Sequence, residues 1–386
     1  MTGHTKTLLA VLQTTGLLLL TGCPEASPSP HEEDSAPEAD PELVAALQEA
    51  LEDMVEESPA TGLTAAIEFA DGAVWVGAAG STHPSGLDGS RAMLPDDLFN
   101  IASITKSFTG GLILTLVDEG LVELDDSFET WVPDGHSRGA EISVRHLLQH
   151  TAGVPEYTMT PSFQANYTAS WTNQELLALV AEAELVNEPG AAPAYSNSHF
   201  VMLSMVAEVA TDMPWSQALA DRVLTPTGVD DTTMPGSADG WDGVVPSWLG
   251  EASFPVMMDP SGAGAAGGMV SDADDVAHWT RARFGGSFLS AQVRAAQVDD
   301  LMPLSGSASL GLGALVVEIP GQALEQGHNG ALNGYVGWSG YRPDIDAAIA
   351  LLGNAWGAGD PPQYSYPLGL HLDLWSQVDE HLAAAR

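Results

Sequence analysis

Lysine is almost missing from this sequence. Over 386 residues, Lys and Arg together number 11 against 52 Asp and Glu, a formal net charge of −41 at pH 7. The lysines are Lys6 and Lys106, and Lys6 lies in a leader-like segment. Such an anionic surplus excludes nucleic acid as a partner, because its phosphates would be repelled. It equally excludes docking on an anionic lipid surface by charge. Cysteine is nearly absent: Cys23 stands alone, so no disulfide can form within the chain. Long hydrophobic runs are also lacking. The best of them, Leu8–Leu20, is broken by Gln13-Thr14-Thr15-Gly16 and is too short to span a bilayer comfortably. No repeat at fixed spacing occurs.

What the Leu8–Leu20 run does fit is the apolar centre of an export signal. It ends in Leu20-Thr21-Gly22-Cys23, which resembles a lipobox, the signal whose cysteine becomes the lipidated first residue of the mature chain. Residues 1–22 are therefore expected to be a lipoprotein signal peptide, with Cys23 the lipidation site. Residues 23–41, largely PEASPSPHEEDSAPEADP, carry proline and acid with little to bury, the composition of a disordered tether. The expected location is the cell envelope, with the chain exported and held to a membrane on its periplasmic or extracellular face. From residue 42 to 386 the composition is globular, with ten tryptophans and regular glycine turns. One catalytic unit is expected there, with a helical lobe over roughly residues 100–297.

Apolar residues at 43, 44, 47, 51, 54 and 55 predict an amphipathic helix over Leu43–Val55. Asp71-Gly72 between Leu63–Phe69 and Ala73–Ala79 predicts a hairpin. A helix is expected from Ser103 to a stop at Gly120, then others over Val144–Gln149, Thr172–Glu184, Phe200–Thr211 and Pro214–Val223. Strands are expected over Gly311–Ile319, Tyr335–Ser339 and Ala347–Leu352, and a closing helix over Gln377–Ala385. The fold class is therefore α/β in the α+β sense. An antiparallel sheet built from both chain ends is flanked by helices, with a mainly helical lobe inserted.

Within this chain Lys106 stands three residues after Ser103, in FNIASITKSFTG. On a helix that spacing puts both side chains on one face. Serine needs a proton acceptor to become nucleophilic, and lysine serves only when its ammonium is destabilised. Phe99, Ile101, Ile104 and Phe108 are candidates to supply the apolar surroundings that do this. Ser103 at a helix start also aims its backbone N–H at any developing negative charge.

FNIASITKSFTG resembles the active-site segment of the serine β-lactamase and penicillin-binding-protein superfamily, nearest its class C β-lactamase, DD-carboxypeptidase and esterase branch. Further segments are similar in the same order. They are ISVRHLLQHTAGVPEY at 142–157, AYSNSHFVMLSMVAEVATDMPW at 194–215, AAGGMVSDADDVAHW at 265–279 and GHNGALNGYVGW at 327–338. The resemblance implies a β-lactamase/transpeptidase-like fold and a serine hydrolase acting without a cofactor or metal. Ser103 would be the acylated nucleophile, Lys106 its proton acceptor and Tyr195 a proton shuttle. Asn197 would orient substrate and help hold Lys106. His328, Asn329 and Gly330 would form the third motif, where many β-lactamases have Lys-Thr-Gly. The backbone N–H groups of Ser103 and Ala331 would make the oxyanion hole. With histidine in place of lysine, a substrate carboxylate would depend on protonated His328 or an arginine such as Arg342.

Three other patterns are set aside. Gly262–Gly267, GAGAAG, matches a dinucleotide fingerprint but follows no strand, so a flexible loop near the site is expected. His146 and His150 at i, i+4 lack a third ligand and read as structural. Asp125-Asp126 and Asp274-Asp275 are expected to cap helices or face solvent. An ester, a D-amino-acid peptide or a β-lactam remain open as substrates. A binding module that kept the fold without turnover is the non-enzymatic alternative.

Overall fold

The computed structural model describes residues 39–235, 241, 243–254, 256–319, 324–357 and 367–385. The expected signal peptide, Cys23 and nearly all of the tether lie outside them. Asp40 opens the first helix, α1 (Pro41–Glu57), by accepting from the N–H groups of Glu42 (2.8 Å) and Leu43, with Pro41 in the first turn. Its buried stripe is Leu43, Leu47, Leu51 and Met54, as the periodicity predicts. Strands β1 (Gly62–Glu68) and β2 (Val74–Gly80) follow as an antiparallel hairpin. Three long helices occupy the middle of the chain: α2 (Thr105–Asp118), α3 (Asn197–Thr211) and α4 (Ala273–Phe284).

Six strands come next: β3 (Met302–Ser305), β4 (Ala308–Gly311), β5 (Ala314–Glu318), β6 (Leu324–Leu332), β7 (Tyr335–Arg342) and β8 (Ala347–Gly353). Helix α5 (Pro367–Ala384) closes the chain. The eight strands form one sheet in the order β2-β1-β8-β7-β6-β5-β4-β3, every pairing antiparallel. The two ends of the chain thus meet where β1 pairs β8, with Ala65 opposite Leu351. Both strands are buried along their whole length, because α1 and α5 cover one face and α4 the other. No described helix is long and apolar enough to cross a membrane.

Several elements depart from their predicted limits. The helix expected over Thr172–Glu184 is Asn173–Ala178, started by a Thr172/Glu175 capping box. Its continuation fails where Ser137 N–H takes the Ala181 carbonyl. The strand expected over Gly311–Ile319 is broken at Leu312-Gly313, where Gly313 has φ +65° and turns β4 into β5. Helix α4 is capped by Asp272, not by Asp274 or Asp275; Asp275 instead accepts from Thr232 and Asp231 N–H. The closing helix begins ten residues before its predicted start.

Candidate active site

Ser103 does not begin a long helix. It sits in a 3₁₀ turn, Ala102–Ile104, that leads into α2, and Ala102 before it takes φ +48°. A non-glycine residue held in that region marks a constrained backbone. Asn100 fixes the approach by donating to the carbonyls of Gly267 and Met269, both at 3.0 Å, and Thr105 Oγ1 accepts from Met269 N–H. Segment 264–269 is therefore stitched to the serine turn. The GAGAAG stretch expected as a loop consists of two short helical turns, Pro260–Ala263 and Gly264–Ala266.

Lys106, one turn on, is fully buried, as are Phe99, Ile101, Ile104 and Phe108 of the same segment. Its Nζ lies 3.0 Å from Ser103 Oγ, 2.7 Å from Asn197 Oδ1 and 2.6 Å from the Ala266 carbonyl oxygen. Burial lowers its pKa from 10.5 to about 7, and the negative charge of Glu156 opposes that shift. Glu156 is itself held in place, accepting from Asn197 N–H at 2.6 Å and Thr158 N–H at 3.1 Å. Sequence reasoning passed over both Glu156 and the Ala266 carbonyl. Nothing in the sequence set Glu156 apart from the other acids.

Tyr195 lies just before α3 with Lys106 Nζ 5.0 Å from its ring centroid. The residue is 39% exposed, yet burial around its hydroxyl raises the phenol's pKa above 10, against the lowering effect of a hydrogen bond to Ser103. Tyr195 is therefore a neutral phenol, not a phenolate. Phe200 adds a further ring 5.6 Å from Nζ.

From the other side, β6 brings in the third motif. His328 is buried, and burial together with Lys106 holds its pKa down at about 3. Its Nδ1 is 2.6 Å from the Asn329 carbonyl oxygen, so a neutral imidazole donates there. Gly330 presses on the serine turn: a Cβ there would overlap the Ile101 carbonyl and come within 3.2 Å of Ser103 N. Ala331 lines the same small pocket as Ser103, Asn197, Met258, Ala263 and Leu332.

The structure does not bring the whole expected set together. Asn329 pairs across the sheet with Trp338, whose ring stacks on His371 of α5. Directly opposed residues share a face, so Asn329 belongs to the α5 side, opposite His328 and Gly330. Arg342 is likewise on that side, bound to Asp344 (2.8 Å) and Asp379 (2.9 Å). Neither Arg342 nor a protonated His328 therefore offers a cation to a substrate carboxylate. His146 closes a capping box with Ser143, and among the described residues no group of His, Cys, Asp and Glu is placed to hold a metal.

A family model described as Beta-lactamase matches residues 47–372. The chain is 25% identical over 232 residues to D-alanyl-D-alanine-carboxypeptidase/endopeptidase AmpH of Escherichia coli (strain K12), covering 59% of each chain. It thus spans about three fifths of the length of the curated relatives it matches. Among solved structures, a D-stereospecific amidohydrolase from Streptomyces sp. aligns with TM-score 0.70 and 30% identity, over 81% of this chain and 94% of that one. The D-amino acid amidase from Ochrobactrum anthropi SV3 aligns with TM-score 0.77 and 26% identity, over 88% and 99%.

Proposed function

The chain belongs to the Beta-lactamase family, and on that premise we propose that it is a serine hydrolase working through an acyl-enzyme on Ser103. The observation that carries this reading is what surrounds Lys106 Nζ. A neutral amine has two N–H donors and one lone pair. Asn197 Oδ1 and the Ala266 carbonyl can only accept, so they take the two N–H groups. The lone pair is left for Ser103, and a pKa of about 7 leaves much of the amine free to use it.

Ser103 Oγ then attacks a carbonyl carbon while its proton passes to Nζ. The oxyanion that forms meets the N–H groups of Ser103 and Ala331. Tyr195, a neutral phenol on the Ser103 oxygen, gives its proton to the departing nitrogen or oxygen as that bond breaks. The Lys106 ammonium restores it. Water deprotonated by the same pair attacks the acyl ester and frees Ser103. Asn197 holds Lys106 and lines the pocket beside Ser103, and the buried, neutral His328 lies with its ring 6.3 Å from that of Tyr195.

The substrates best fitted are amides and esters that carry no carboxylate, with D-amino acid amides first because one solved neighbour is named a D-amino acid amidase and another a D-stereospecific amidohydrolase. Peptides ending in a free carboxylate are the second reading, favoured by the likeness to AmpH. We propose also that residues 1–22 direct export, that Cys23 carries a lipid and that 24–41 tether residues 42–386 at the cell envelope.

The test is hydrolysis of p-nitrophenyl acetate, D-alanine amide, a D-alanyl-D-alanine peptide and benzylpenicillin, by wild type beside Ser103→Ala. Turnover of the ester and the amide that vanishes in the variant is expected, with little on the two carboxylates. Equal turnover in both proteins assigns the chemistry to another residue. Selective turnover of a carboxylate substrate overturns the neutral-substrate reading.

A further inference from the structure

Behind Tyr195 lies a histidine whose geometry is irregular in three respects. His150 is buried and takes φ +55°. Its Nε2 is buried with no hydrogen-bond partner. Its ring nitrogen Nδ1 is within 3.1 Å of another histidine's Nδ1, that of His199. A backbone outlier and an unpartnered polar atom on one residue call for a compensating use.

What His150 touches is Tyr195, from three directions. Its ring stacks on the Tyr195 ring with centroids 4.2 Å apart and planes 27° from parallel. Its carbonyl oxygen accepts from Ala194 N–H at 2.7 Å, immediately before Tyr195. Its Nδ1 accepts from Ser196 N–H at 3.2 Å, immediately after. The N–H groups of both residues flanking the tyrosine and the ring itself are thus engaged by one residue. The positive φ is what lets a single residue turn its carbonyl and its ring toward the same segment.

The protonation state follows from the donors. Ser196 N–H can only donate, so His150 Nδ1 is bare and the proton is on Nε2. His199 Nδ1, at 3.1 Å, must then be the protonated nitrogen that donates to it. Burial holds both imidazoles well below their usual pKa, in agreement with neutral rings.

We propose that His150 is a positioning residue for the proposed hydrolysis: it sets the Tyr195 hydroxyl on the line between Ser103 and the leaving group, acting through stacking and through its hydrogen bonds to Ala194 N–H and Ser196 N–H. The proposal rests on the assignment of Tyr195 as the proton donor to the leaving group. Proton donation matters for a poor leaving group, an amine or alkoxide, and hardly at all for p-nitrophenolate, which departs unprotonated. Loss of a positioning residue therefore penalises one kind of substrate and spares the other.

The experiment compares wild type, Tyr195→Phe, His150→Asn and His199→Asn on D-alanine amide and on the p-nitrophenyl ester of the same acyl group. Asparagine suits the positive φ and keeps an acceptor, but removes the stacked ring. For His150→Asn, kcat on the amide is expected to fall about 10- to 100-fold with KM within about threefold, as for a misplaced proton donor. Its p-nitrophenolate burst, which reports acylation by the ester apart from deacylation, should keep its rate within about threefold of wild type, which also reports an intact serine turn. His199→Asn, one ring further back, should show the same split in smaller measure. Equal losses on both substrates, or none on the amide, overturn the positioning role. Should Tyr195→Phe itself spare the amide, the assignment of Tyr195 falls instead.

Discussion

At the residue scale the proposed mechanism turns on one atom, the Lys106 amine, which must shed its charge to act as a base. Burial draws its pKa down to about 7, and the Glu156 charge pulls it back up. The sign is direct: the neutral amine is the active form, so kcat/KM for a p-nitrophenyl ester should rise with pH through about 7 and then level. Replacing Glu156 by Gln deletes the charge and keeps one acceptor oxygen, for Asn197 N–H or for Thr158 N–H but not for both. The acidic limb should then move to lower pH, by about half to one unit, which pH–rate profiles of the two proteins will resolve. A limb that stays put would show that Glu156 does not act on Lys106. Lys106 was legible in the sequence because almost no other lysine exists. Glu156 was not, since one more acid in a chain holding 52 carries no signal. The proposal that Tyr195, expected as a proton shuttle, works as a neutral donor rests on packing around its hydroxyl, which raises the phenol's pKa.

At the scale of elements, the strand β6 serves two faces by its alternation. Toward the serine turn it offers His328 and Gly330; toward α5 it offers Glu325, buried beside His371 (2.9 Å), Trp338 (3.0 Å) and Trp375 (3.0 Å). Gly330→Ala should place a methyl group against the Ile101 carbonyl and push the strand from Ser103. Overpacking of this kind costs about 1–3 kcal/mol, and here the loss in kcat/KM should exceed the loss in stability. A crystal structure of that variant with an unmoved strand would refute the argument. Burial would raise the Glu325 pKa, but His371 and the two indoles hold it below the ordinary carboxylate value. His371→Leu leaves that charge unpaired in the interior and should destabilise by about 3–5 kcal/mol in urea melts, with activity at low denaturant little changed. The sheet's make-up from both chain ends was readable from strands at each end and helices between. Which face of β6 each residue joined was not readable, because the motif read His328-Asn329-Gly330 as a unit while a strand sends neighbours to opposite sides.

At the scale of the whole molecule, charge decides between the two readings of substrate. The formal net charge is −41, and Lys106, the cation at the site, is engaged with Ser103, Asn197 and Ala266. Arg283, the other wholly buried cation, is spent on the Ser107, Leu312 and Gly313 carbonyls and on Gln297. An incoming carboxylate thus meets a repulsive field at long range and, among the described residues of the site, no fixed cation at short range. The long-range part is screened by salt, with a Debye length near 10 Å at 0.1 M and about 3 Å at 1 M. The short-range part is not. Raising NaCl from 0.01 to 1 M should therefore increase kcat/KM for an N-acetylated D-alanyl-D-alanine peptide several-fold, while leaving the uncharged N-acetyl-D-alanine amide nearly unchanged. Even at the highest salt the peptide should remain the poorer substrate, because screening restores encounter without creating a partner for the carboxylate. Salt that brings the two substrates level would mean the field alone disfavours anions. Peptide turnover that falls with salt would mean that a cation does greet the carboxylate, and the preference for neutral substrates would have to be given up.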